Sequence, residues 1–435
     1  MERQVEKIFT QRRKGPIFFA SLRLCATIFV ELVAALVSPR QGLKQTCMAI
    51  YHCATIRICI IAFFLGTAIF TTGQPPRGPL VVSPEIHADK TITFRYLAPS
   101  AKDVKLSAQF LKSQLPMTKD SLGIWSATVS SVKPDIYPYS FNVDGITVMD
   151  PANVDFFPNE RFKASLVDVP GDTPLIHSLR DVPHGTVTYD YYPSLEGTIG
   201  SFVIYTPPGY DKNTTQKYPV FYLISGTTDT EETFFKVGRT NFILDNLIHE
   251  GKAKPMIIVM PYGNTVARIA EQKGAAKPAD PISREGADAV NRARLFETDL
   301  LTKVIPYVDQ NYRTLNNREN RAIGGFSRGG GQTLRAAFGN LDKFAWVCCY
   351  SAYLSTPEME KSFRNIYEKP AQTNKNLRLL WVSVGNEDFL YNQTVEFMDF
   401  LKAKNVHFNS LVTPGGHTWM NVKKYVAESA QLLFK

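Results

Sequence analysis

"AIGGFSRGGGQTL", residues 322–334, sets five glycines around a single serine, Ser327. Such a stretch is either a loose glycine-rich loop or a turn so tight that side chains on its neighbours would collide. Gly325, Ser327 and Gly329 spell G-x-S-x-G, a pattern too short to carry weight alone. Its flanks add meaning: the apolar run "RAIGG" precedes it, and "GGQTLRAAFGN" opens a helical pattern after it. Strand, turn and helix in that order are the setting of a nucleophile elbow, where a serine stands on strained backbone at a helix N-terminus. That helix end favours the negative charge that develops when a carbonyl is attacked. The competing reading is a helix start whose glycines serve only close packing.

Working outward, the apolar runs "VFYLISG", "PMIIVMPYG", "FAWVCCYSA" and "LRLLWVSVG" alternate with helical patterns. One of these, "FLYNQTVEFMDFLKAK", puts Tyr391, Val395, Met398 and Leu401 on one face. Continuous apolar strands between amphipathic helices imply a parallel sheet covered on both faces, so the fold class expected is α/β. Residues 80–172 differ in texture. "KTITFRYLAPSAKDVKLSAQF", "GIWSATVSSV" and "YPYSFNVDGITVMDP" are short alternating runs between turn signals, as in a small antiparallel sandwich. Between the two, "VPGDTPLIHSLRDVPHGT" lacks a period, and 173–194 reads as a linker to an α/β domain over 195–435. Trp125 and the tyrosines of "YPYSF" could stack on a sugar or an aromatic acid, but such residues more often fill a sandwich's own core.

A serine nucleophile needs a base, and the base needs an orienting acid, in the chain order serine, acid, histidine for this fold. Glu387 and Asp388 end the run "LRLLWVSVGNED", and His417 sits in "LVTPGGHTW" after another strand and before the last helix. Each stands at the carboxyl end of a strand, where open α/β sheets place their sites. Taken singly, an acidic pair or a loop histidine would be ordinary surface chemistry. An oxyanion hole would draw one backbone N–H from Arg328, the residue after the nucleophile, and another from the loop "SGTTD", around Gly226 and Thr227.

Composition narrows the function classes. The 435 residues are 44% hydrophobic and 20% charged, ordinary for globular domains. Residues 1–74 hold nine basic and three acidic side chains, so +6 of the formal +9 lies there, leaving no basic footprint for nucleic acid on the remainder. Four of the six cysteines, Cys25, Cys47, Cys53 and Cys59, also lie there. The neighbours Cys348 and Cys349 read as small apolar residues of a buried strand, and neither a disulfide framework nor a Cys/His metal site is available. Residues 1–73 read as a leader. From Met48, a polar start with Arg57, an apolar run Ile58–Phe70 and small residues Thr71 and Gly73 form a signal-peptide pattern. The apolar run is too short to span a bilayer comfortably, so a secreted or periplasmic bacterial protein with no membrane contact after signal removal is expected.

"YTPPGYD", "YPVFYLISG", "GGFSRGGGQTL", "VGNEDFLY" and "GGHTW" together resemble the esterase D-like carbohydrate esterases of family 1, which include feruloyl and acetyl xylan esterases. The stretch "SPEIHADKTITFRYLAP" with "GIWSATV" is similar to the early-set, immunoglobulin-like module that precedes many of their catalytic domains. The resemblance implies an α/β-hydrolase fold after an all-β module, with Ser327 as nucleophile, Asp388 rather than Glu387 as acid and His417 as base. It implies a serine esterase that removes feruloyl or acetyl groups from an acylated oligosaccharide or polysaccharide such as xylan, with no metal or organic cofactor. The chain departs from the pattern where relatives commonly read H-G-G-G-D and it reads "SGTTD", Ser225–Asp229. Arg328, often methionine in relatives, either favours acidic substrates or pairs with a nearby acid. A siderophore (enterobactin-type) esterase and a polysaccharide-binding protein weakened in catalysis by the altered loop are the rival readings.

Overall fold

The computed structural model describes residues 80–130, 132–275 and 294–435; the leader, its four cysteines and the signal-peptide reading from Met48 lie outside them. Eight strands make the large sheet: β1 (Thr186–Pro193), β2 (Ile199–Thr206), β3 (Val220–Ile224), β4 (Ile257–Pro261), β5 (Arg321–Phe326), β6 (Trp346–Tyr350), β7 (Leu379–Gly385) and β8 (Asn409–Thr413). Their spatial order is β1-β2-β4-β3-β5-β6-β7-β8. The strands β1, β2 and β4 pair antiparallel, and every pairing from β4 through β3 to β8 is parallel. This is the α/β-hydrolase arrangement expected from the sequence. Among the helices that cover the sheet are α1 (Thr240–His249), α2 (Thr265–Gln272), α3 (Arg328–Gly339), α4 (Tyr391–Ala403) and α5 (Trp419–Ala430).

The apolar runs become strands because both sheet faces are covered. Every residue of β3, β4, β5, β6 and β7 is buried. Alternate side chains feed two cores: Tyr222 and Ile224 join Phe338 and Leu380 on one face, while Phe221 and Leu223 join Phe234 and Tyr425 on the other. Cys348 and Cys349 sit fully buried in β6, and burial pushes the Cys348 thiol up to about 12, so both behave as small apolar residues. On α4, Met398 and Leu401 are buried and Tyr391 and Val395 half-buried, the face set by their spacing.

Strands between Glu85 and Val169 form two antiparallel sheets. Their shared core holds Phe94, Trp125, Tyr137, Tyr139 and Phe141. The aromatics considered for sugar stacking therefore pack inward, and the indole N–H of Trp125 donates to the Ala98 carbonyl at 3.0 Å. Val81–Lys435 cluster as one unit, and Ile136, Phe157, Ala164 and Leu166 from the sandwich enter the core that holds Phe234 and Tyr205.

The stretch read as a linker, 173–194, differs. Its second half is β1, an edge strand paired residue by residue with β2, from Thr186 opposite Thr206 to Pro193 opposite Ile199. An edge strand keeps one side in water, so its "TVTYDYYP" carries polar residues that hide the strand signal. The large sheet thus begins at Thr186 and not at residue 195.

Candidate active site

Four loops meet at one edge of the sheet because β3, β5, β7 and β8 run parallel and each is followed by a candidate residue. Ser327 follows β5, the "SGTTD" loop follows β3, Asp388 lies three residues past β7, and His417 lies four past β8. Among the described residues, those expected to act together are therefore delivered to the same side.

Ser327 joins β5 to α3 with φ 56° and ψ −118°, a left-handed φ that few non-glycine residues adopt. Its N–H donates to the Tyr350 carbonyl at 2.9 Å, and its own carbonyl accepts from the Gly331 N–H at 3.0 Å. The turn is this tight only because its flanks lack side chains. A Cβ at Gly325 would lie 2.4 Å from the Gly329 carbonyl, and one at Gly329 would lie 2.2 Å from the Ile224 oxygen. In an ordinary helix, alanine in place of glycine stabilises by up to about 1 kcal/mol. Here Gly329→Ala is expected to destabilise by roughly 1–3 kcal/mol, the usual cost of overpacking, and to slow turnover by pushing the β3 loop outward. Denaturant titration beside an activity assay checks this, and a stabilised, active variant would contradict it.

Of the two adjacent acids, Asp388 turns inward and is buried, while Glu387 is exposed. The His417 Nδ1 lies 2.8 and 2.9 Å from the two Asp388 carboxylate oxygens, and the Leu390 N–H donates to Oδ1 at 2.8 Å. Burial alone would raise the Asp388 pKa. The His417 hydrogen bond and charge, the Leu390 amide and a Ser351 hydroxyl bond outweigh it and hold the carboxyl below its ordinary value. The acid and histidine loops are also tied by backbone: Asn386 N–H donates to Thr413 at 2.8 Å and Glu387 N–H to Gly415 at 3.1 Å.

Two aromatic rings flank the imidazole. Phe326, the residue before the serine, and Phe389, the residue after the acid, each centre 4.5 Å from the His417 ring. Both rings pack against the imidazole, which is half-buried. Neither contact is legible in the sequence, because an aromatic beside a motif residue looks like any core aromatic.

In the β3 loop, the Ser225 hydroxyl donates to the Thr230 carbonyl at 2.9 Å. The expectation for Gly226 is corrected: its N–H donates to the Asp229 carboxylate at 3.2 Å, so it points into the loop's own interior. Thr227 is half-buried, and Thr228 takes a left-handed φ of 65°. Asp229 is buried, and desolvation pushes its pKa up to about 7 against the opposing charge of Arg328 and bonds from Gly226, Asn159 and Trp419. The Arg328 charge opposes that rise. Arg328 also opens α3, so its backbone N–H belongs to the helix end that points toward the site.

A family model described as a putative esterase matches residues 194–421. The chain is 27% identical over 372 residues to an endo-1,4-beta-xylanase/feruloyl esterase of Xylanibacter ruminicola, covering 83% of this chain and 47% of that protein. It is 26% identical over 278 residues to endo-1,4-beta-xylanase Y of Acetivibrio thermocellus, covering 58% of this chain and 23% of that protein. The chain therefore spans less than half the length of these curated relatives. Among solved structures, the enterobactin esterase FES of Shigella flexneri superposes with a TM-score of 0.54 at 14% identity, covering 79% of this chain and 93% of that one, a likeness of fold.

Proposed function

The chain belongs to the putative esterase family and is a carboxylic ester hydrolase, and from that premise we propose that it is a serine esterase for feruloyl or acetyl groups on xylan-type polysaccharide. The observation that carries the reading is the buried Asp388 paired with His417, whose ring packs on the residue preceding the strained Ser327. Nδ1 of His417 is engaged by Asp388, which leaves Nε2 for the serine proton. Ser327 Oγ attacks the ester carbonyl carbon as Nε2 takes that proton. The tetrahedral intermediate then collapses, breaking the bond to the sugar oxygen, which leaves with the proton returned from His417. Water repeats the sequence on the acyl-enzyme, again with His417 as base, and releases the acid and free Ser327. The oxyanion is held by the N–H groups of Arg328 and Thr227, since that of Gly226 is engaged by Asp229.

The acyl and sugar classes are supported by the printed activity of the Xylanibacter relative and by the family resemblance of the motifs. A substrate of this kind lies outside the cell, in keeping with the leader reading. The test is release of ferulate or acetate from feruloylated and acetylated xylooligosaccharides, run beside a cyclic catecholate siderophore. Ester release from the saccharides above the siderophore rate is expected. Turnover of the siderophore alone, or xylan binding without any ester turnover, would replace the reading with one of its rivals.

A further inference from the structure

The loop that follows β3 is poorly equipped to hold its own shape. Thr227 and Thr228 follow Gly226, and Thr228 takes φ 65°, a region hostile to a β-branched residue. Left alone, such a loop would relax to negative φ and swing its amides away from the serine. Beside the loop's own Ser225 and Gly226 bonds, what restrains it comes from the other module.

Residues 149–164 connect two strands of the sandwich, Ile146–Val148 and Ser165–Val169, and reach across to the α/β sheet. The Glu160 N–H donates to the Thr228 carbonyl at 2.8 Å. The Asn159 amide Nδ2 donates to the Thr228 hydroxyl at 3.0 Å and to the Asp229 carboxylate at 3.2 Å, and Asn159 and Asp229 form an antiparallel backbone bridge. The Thr233 hydroxyl, just past the loop, donates to the Pro158 carbonyl at 3.0 Å. The Glu160 side chain then reaches the neighbouring loop after β4, accepting from the Tyr262 hydroxyl at 2.6 Å and from Asn264 Nδ2 at 3.2 Å. The reaching segment is itself anchored, since Phe157 and Ala164 are buried in the core with Phe234 and Val237.

We propose that Asn159 and Glu160 of the sandwich are positioning residues for the oxyanion loop, so that the all-β module is a working part of the esterase site and not an appended binding domain. The inference rests on the serine-esterase reading above. Asn159 and the loop backbone lock Thr228 in its left-handed turn. Asn159 also orients the Asp229 carboxylate, whose other oxygen holds Gly226. With both ends of the loop fixed, Thr227 is presented to the site. Because the oxyanion develops only as the tetrahedral intermediate forms and is absent from the bound ester, loss of this support lowers kcat and leaves substrate binding nearly unchanged.

Asn159→Asp separates positioning from folding. The Asn159 Oδ1 accepts from the Arg161 N–H at 2.9 Å and the Phe162 N–H at 3.3 Å; an ionised aspartate keeps that acceptor, loses the donor to Thr228 and Asp229, and sets a second carboxylate against Asp229. Asn159→Ser, a shorter side chain, is the second variant. The expected result is a kcat lower by about 10²-fold, in the range for losing one oxyanion donor, with KM within about twofold of wild type. Affinity for a trifluoromethyl ketone, which forms a tetrahedral oxyanion on the serine, should fall by the same factor as kcat. Folded variants with wild-type kcat, or a rise in KM with unchanged ketone affinity, would overturn the inference. Failure of both variants to fold would also count against it, by making Asn159 a residue of sandwich stability. Should wild type hydrolyse no ester at all, the functional reading fails first. Should wild type hydrolyse esters and the variants match it, only the inference fails.

Discussion

Ser327→Ala is expected to lower ester turnover by about 10⁶-fold, to the level that the remaining oxyanion donors and substrate binding sustain without a nucleophile. The size of the loss follows from the geometry of the elbow. The φ of 56° is maintained by strand β5 below and helix α3 above, so removing Oγ leaves the turn in place and removes only the attacking atom. Alanine is close to serine in volume and loses no buried partner on which the fold depends, so the thermal midpoint should stay within a few degrees of wild type. A folded Ser327→Ala protein that still turned over a chromogenic ferulate or acetate ester would place the nucleophile elsewhere.

Asp388→Asn is expected to lower kcat by about 10⁴-fold. Asparagine is isosteric, but its amide can present N–H where the carboxylate accepted from His417 Nδ1, which reverses the tautomer that the mechanism needs. The carboxylate also stabilises the imidazolium formed during attack, and asparagine cannot. A pH sign follows as well. The Asp388 pKa is depressed in the folded protein, so its contribution to stability is present above the unfolded value of about 3.9 and disappears as pH falls through the lower folded value. Asp388→Asn should therefore show a shallower loss of unfolding free energy as pH falls below about 4. An unchanged acid limb, or kcat within tenfold of wild type, would remove Asp388 from its assigned place.

How far the sequence reveals this structure depends on where each signal resides. The strands β3 to β7 were legible because both of their faces are buried, which forces continuous apolar runs such as Val220–Ile224. The elbow was legible because Gly325 and Gly329 answer to steric contacts a few residues away. The order of Ser327, Asp388 and His417 was legible because parallel topology delivers all three to one edge. By contrast, β1 reads as linker, because Thr186–Pro193 is polar on its outer side and lies beside proline and glycine. The amide of Gly226 turns inward because Asp229, three residues on, captures it, a detail of loop conformation that no residue pattern encodes. Asn159 acts on Asp229 from 70 residues away in the chain, and nothing local to "SGTTD" points to it. The same holds for Phe326 and Phe389: they meet at His417 from the end of β5 and from the loop after β7, a property of the fold alone.

The central claim, that Ser327 is a nucleophile activated by His417 and Asp388, is tested most directly by covalent capture. The protein is treated with a fluorophosphonate and mapped by peptide mass spectrometry, alongside His417→Ala. The account requires a single phosphonate adduct on the peptide that contains Ser327, formed rapidly in wild type and at least 10³-fold more slowly without the base. An adduct on a different residue, or one formed at Ser327 equally fast in His417→Ala, would contradict it.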